Sequence, residues 1–183
     1  MNNTKTGLRS GFTLVELLIV IAILGTLAVV VLVALNPAQQ LARTRDAGRV
    51  STVTQLGRAA EAFATNRNGV YPAENATWIS GTTAAPGLQN SGEIATVPAA
   101  IAYSIAGVTA CTTNVQNGVC YNATTAGGGG PIVVFARLES QANNSRCTTA
   151  GQVAYVVYSS ADGRGGTVCA AAEPTPGTQT FLP

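Results

Sequence analysis

One apolar run constrains this chain more than any other feature. From Leu14 to Leu35 the sequence reads LVELLIVIAILGTLAVVVLVAL, 22 residues whose only charge is Glu16 and whose other interruptions are Gly25 and Thr26. As a helix rising about 1.5 Å per residue it would be about 33 Å long, enough to cross the hydrocarbon core of a bilayer. Lys5 and Arg9 are the charges ahead of it. The positive-inside bias therefore puts the amino terminus in the cytoplasm and the rest of the chain outside. A removable secretory signal has an apolar region of about 7 to 15 residues followed by a small-x-small cleavage site, so this run is too long to be one.

Glu16 sits just inside the apolar edge and needs a reason to be there. An acid at mid-membrane costs about 2.5 to 3.5 kcal/mol on insertion scales, and less near the end. A cut between Gly11 and Phe12 would supply a partner, because the new ammonium would lie four residues before Glu16 on the same helical face. Within one subunit the two charges could close on each other. In a stack of subunits the carboxylate could instead meet the ammonium of the next chain and set the axial register. The alternative is an acid left partly hydrated at the membrane interface.

Composition removes most enzymology. Charged residues make up 10% of the chain, against about 25% in ordinary soluble proteins. There is no histidine and the only lysine is Lys5, so no imidazole is present for a triad, a general base or a metal. Loss of the leader would also remove any Ser-Lys dyad or Schiff-base lysine. Without Lys5 and Arg9, the 10 basic residues fall to 8 against 8 acidic ones. Nucleic acid, which selects a net basic surface, is therefore not an expected partner. The acids Asp46, Glu61, Glu74, Glu93, Glu139, Asp162 and Glu173 are scattered. No catalytic residue, metal ligand or cofactor is assigned, and Asp162 in Ser160-Ala161-Asp162-Gly163 is read as a turn residue.

Gly11-Phe12-Thr13-Leu14-Val15-Glu16-Leu17-Leu18 resembles the class III signal of bacterial type IV pilins and type II secretion pseudopilins. Basic leader, glycine, phenylalanine, glutamate and apolar run fall in the order that family uses. The resemblance implies cleavage after Gly11 by the prepilin peptidase, N-methylation of Phe12 and a role for Glu16 in subunit recruitment. It implies a non-enzymatic filament subunit that is first a single-pass inner-membrane protein and then part of an extracellular or periplasmic filament. Its partners would be copies of itself or related pilins, the peptidase, an assembly platform in the inner membrane and its ATPase. A type IV pilus-like filament (a fimbrium) is the favoured reading. A type II secretion pseudopilin and a membrane-anchored binding module that never polymerises are the alternatives. One departure is that family members often carry proline where this chain has Val33; here the nearest is Pro37.

The expected fold is α+β: a long N-terminal helix, half membrane-spanning and half amphipathic, packed on a small antiparallel sheet. The divisions are a leader at 1–11, a transmembrane or filament-core helix at 12–37, an amphipathic helix with its exit turn at 38–72, and a head at 73–183. Leu41, Val50, Val53, Leu56, Ala60 and Phe63 form the apolar stripe of the second helical stretch. Pro37 predicts a kink or melted turn near residues 33 to 37. Gly48 and Gly57 are places to bend or to pack closely.

Arg43, Arg45 and Arg49 surround Asp46, either as a contact with neighbouring subunits or lipid headgroups or as a solvated face. Asn68-Gly69-Val70-Tyr71-Pro72 ends the helix and resembles the exit of pseudopilins and small pilins. Strands are expected at 99–105, 119–121, 132–138 and 153–158, with one sheet face buried. Trp78 is read as a loop anchor on the head, and Gly127–Gly130 as a mobile connection.

Four cysteines, Cys111, Cys120, Cys147 and Cys169, lack the short paired spacings of a zinc site and are read as disulfides in an oxidising compartment. Three pairings are open. The favoured one closes two local loops, Cys111 with Cys120 and Cys147 with Cys169.

Overall fold

The computed structural model describes residues 11–183. The expected leader, with Lys5 and Arg9, lies outside the described residues except for Gly11. The chain divides into two units that meet between Pro37 and Ala38.

Among the described residues the first unit carries one helix, α1 (Leu14–Leu35), and every residue of that helix is exposed. Thr13 is its N-cap, in extended conformation with ψ 147°. The helix ends at Asn36, whose φ of 41° is left-handed, a conformation that asparagine tolerates better than most residues. Pro37 then opens the next helix, where a missing N–H costs nothing because the first N–H groups of a helix lack intrahelical partners. The interruption therefore falls inside the window predicted from Pro37, one residue before the proline itself.

The second unit holds all of α2 (Pro37–Thr65) but its first residue, and a four-stranded antiparallel sheet. Its strands are β1 (Cys120–Ala123), β2 (Ile132–Arg137), β3 (Val153–Ser159) and β4 (Arg164–Ala170), in the order β1-β2-β3-β4. A one-turn helix, α3 (Gln141–Asn144), follows β2. The architecture is α+β. On α2, Val53, Leu56, Ala60 and Phe63 are buried against Tyr121, Ile132, Val134, Val156 and Tyr158 of the sheet. Leu41 and Val50, expected in the same stripe, are exposed. After α2 the chain turns through Asn68 at φ 54° and Gly69 at φ 82°, and the Gly69 N–H donates to the Ala64 carbonyl at 2.9 Å.

Four expectations are corrected. Residues 99–105 are not a strand, because the carbonyls of Ile101 and Ala102 accept from Arg49 instead of joining a ladder. A strand absent from the expectation, β4, pairs along β3 from Val153↔Ala170 to Ser159↔Arg164; its Gly165-Gly166 start conceals it, since glycine is depleted in strands.

The third correction is that both faces of the sheet are buried. Besides the α2 side, Val133, Phe135, Tyr155, Val157 and Val168 form a second buried cluster with Cys111 and Cys120. Continuous apolar runs such as IVVFA and VAYVVY are what a strand covered on both faces requires. The fourth concerns the glycine run, which is held down at Gly128 although Gly127 and Gly130 stay exposed. The Tyr71 backbone N–H donates to the Gly128 carbonyl at 2.9 Å, and a Cβ on Gly128 would lie 2.0 Å from the Tyr71 carbonyl oxygen.

Candidate processing and assembly site

Gly11 and Phe12 precede the helix in non-helical, exposed backbone. Thr13 and Glu16 then build the helix start together. The Glu16 backbone N–H donates to Thr13 Oγ1, while the Thr13 N–H and hydroxyl donate to Glu16 Oε2 at 2.9 and 2.8 Å. This is a capping box, which satisfies donors that a helix start leaves open. Glu16 is therefore held in place by the start of its own helix. The carboxylate also lies where the positive end of the helix dipole favours a negative charge. Thr13 was not singled out by the sequence reading, although its signal, Thr-x-x-Glu before an apolar run, was present.

Beyond Glu16, α1 offers only apolar or small surface, and by length and composition it is able to cross a membrane. Phe12 is 73% exposed. No described side chain of the helix is sheltered within its own unit, which is consistent with membrane anchoring.

Apart from Arg43, the arginine group on α2 is drawn into the head and is not a solvated face. Asp46, Arg49 and Glu139 are each 2% exposed. Arg49 Nη1 lies 2.9 Å from Asp46 Oδ1 and 3.2 Å from Glu139 Oε1, and Arg45 Nε lies 2.5 Å from Glu139 Oε1. The remaining valences are filled. Asp46 accepts from the Glu139 and Ser140 N–H groups at 2.9 Å each and from Asn143 Nδ2 at 2.8 Å. Glu139 Oε2 accepts from the Ser104 and Ile105 N–H groups. The Arg45 guanidinium also reaches Ser104 Oγ.

Arg49 stacks over Tyr103 at 3.8 Å. Burial pushes the Glu139 carboxyl up, but the bonds from Arg45, from the Ser104 and Ile105 backbone and from Arg49 outweigh it and bring the group down to about 2. A buried cluster with every partner in place ties α2 to the end of β2 and to the long connection before β1. Only Arg43 of the group remains exposed.

Disulfides join Cys111 to Cys120 and Cys147 to Cys169. Trp78 is buried and stacks on Tyr121 with ring centroids 4.8 Å apart. Asp162 Oδ2 accepts the Gln179 N–H at 2.9 Å. Among the described residues no three metal-ligating side chains converge.

Residues 8–32 match the family described as the prokaryotic N-terminal methylation motif. The matched stretch carries Gly11, Phe12, Thr13 and Glu16 and most of α1, and it corresponds to the class III signal of type IV pilins and pseudopilins. The motif points to a pilin-like protein that is processed and N-methylated, and to a structural subunit in place of an enzyme. No curated protein and no solved structure matches the chain.

Proposed function

We propose that this chain is a structural subunit of a type IV pilus-like filament, staged in the inner membrane, cut after Gly11, methylated on Phe12 and polymerised. The observation that carries the reading is the coincidence of the methylation motif at 8–32 with a helix that exposes all its apolar side chains and one capped acid. In lipid, α1 is a single span with its amino terminus inside. In a filament the same surface packs against other α1 helices. The two environments are similarly apolar, so transfer between them has little intrinsic drive, and a cytoplasmic ATPase acting through a membrane platform must supply the work.

Cleavage changes the chemistry at one place. The ammonium created at Phe12 adjoins Thr13, whose N–H and hydroxyl already hold Glu16. The acid is thus aimed at the N-terminal end of the rod before any partner arrives, and a neighbouring subunit's ammonium can take up its free lone pairs at small cost in side-chain entropy. Contacts of this kind are heterologous, head to tail, and generate an open helical polymer.

The exit phrase from Asn68 to Pro72 keeps a secretion pseudopilin as the second reading. Isolation of surface filaments followed by sequencing of their subunits tests the proposal. This chain as a filament component supports it, and its confinement to the membrane as an uncut, unassembled protein overturns it.

A further inference from the structure

The segment that follows β4 runs back along the sheet and places Phe181 on the cluster turned away from α2. Along this segment Glu173 meets Thr112 and Thr113 ahead of β1. Pro174 is buried. The Gly177 carbonyl accepts from Ser159 Oγ at the end of β3, and the Gln179 N–H donates to Asp162 in the β3–β4 turn. Phe181 pairs with Val168 on the outer edge of β4, where the Leu182 N–H donates to the Thr167 carbonyl at 2.8 Å.

The two ends are the strong fasteners. Both Glu173 oxygens are used, Oε1 by the N–H and hydroxyl of Thr112 and Oε2 by those of Thr113. At the other end Phe181 packs on the second cluster and lies under the Arg164 guanidinium at 4.4 Å. Between them the segment forms neither helix nor strand, and Pro174 and Pro176 bar it from a continuous ladder. The Cys147–Cys169 bond ties down its root and leaves the segment itself free of covalent restraint.

We infer that residues 171–183 form a latch, a strap fastened at Glu173 and at Phe181 that lifts as one unit while α2 and its side of the sheet stay folded. Opening costs a handful of side-chain bonds, one short edge pairing and the apolar contact of Phe181, less than is needed to unfold the sheet or α2. A strap with no core of its own loses its remaining bonds once either end is released, because each then has to order the freed chain unaided. Lifting takes Phe181 off the second cluster and exposes the outer edge of β4.

Two substitutions at opposite ends test this by hydrogen exchange of the full chain in detergent micelles. Glu173→Gln sets an amide NH2 against the threonine donors. Gly166→Ala drives a Cβ toward Phe181 Cδ1, 2.6 Å from where it would stand. Each variant alone should speed exchange about tenfold at both Thr112–Thr113 and residues 179–183, with α2 and β2 as in the wild type. An effect confined to the substituted end, spread into α2, or absent from both ends overturns the latch.

Discussion

Gly57 on α2 lies directly against Tyr158 on β3: a Cβ at position 57 would stand 2.1 Å from the ring carbon Cγ. The helix meets the sheet at a point where no side chain fits. This closeness lets Val53, Leu56 and Ala60 on the same face reach the core.

Gly57→Ala should therefore destabilise the head even though alanine is the better helix former. Overpacking of this kind costs about 1 to 3 kcal/mol, against the roughly 1 kcal/mol gained in propensity. Because Tyr158 is held between helix and sheet, the net effect should be a loss. Denaturant unfolding followed by tyrosine fluorescence would read it, and an unchanged or raised midpoint would show that the helix can lift away freely.

The Glu139 cluster sets an acid limit on stability. Its folded value lies near 2, below the 4.5 of a free glutamate, so its contribution is fully present above the unfolded value. It is lost as pH falls from about 4.5 toward 2. The full shift corresponds to roughly 3 kcal/mol, an upper figure for one group in a coupled cluster. Glu139→Gln should be less stable than the wild type at neutral pH and should lose less on acidification. Parallel pH profiles of the two proteins would contradict this.

Glu139→Ala should be worse still. It leaves Arg45 short of its acid and Arg49 with Asp46 alone, and breaking one side of a buried ion pair costs about 3 to 5 kcal/mol. Thermal unfolding of the detergent-solubilised chain measures this, and a small shift would mean that water enters to replace the carboxylate.

Non-reduced peptide mapping should yield Cys111 joined to Cys120 and Cys147 joined to Cys169. Each bridge closes a local loop and stabilises by about 3 kcal/mol on chain-entropy grounds. A fragment linking Cys111 to Cys147 would be incompatible with the fold described above.

How much of this could be read in advance differs from element to element. Helix α1 was legible because an unbroken apolar run admits few structures, and its end was legible because Pro37 removes an N–H. Strand β4 was not, since Gly165-Gly166 carries no side-chain signal and its pairing comes from the hairpin partner β3. The run at 99–105 misled in the other direction: its apolar residues look strand-like, but its carbonyls are taken by an arginine some 50 positions earlier. The Asp46–Arg49 spacing was visible on the helix. Their burial depends on Glu139, 90 residues beyond Arg49, and no local pattern carries that distance. At the amino-terminal site Thr13 is legible as half of a capping box, from Thr-x-x-Glu ahead of an apolar run.

Glu16→Ala removes two things at once. The cap on α1 goes, at a cost of about 1 kcal/mol to the helix start, and so does the charge proposed to meet an ammonium. Cleavage should continue, because Gly11 and Phe12 lie outside the helix, while filament yield should drop sharply. Thr13→Val, which removes the hydroxyl and keeps the acid, should show a milder assembly defect. Equal filament yields from wild type and Glu16→Ala would argue that the acid serves only the cap.

Intact-mass analysis of the protein extracted from its native membrane or filaments tests the central claim most directly. The account predicts a chain beginning at Phe12 and heavier by one methyl group than residues 12–183 alone, with Gly11→Trp accumulating at the mass of the uncut precursor. A native protein that still begins at Met1 would contradict it.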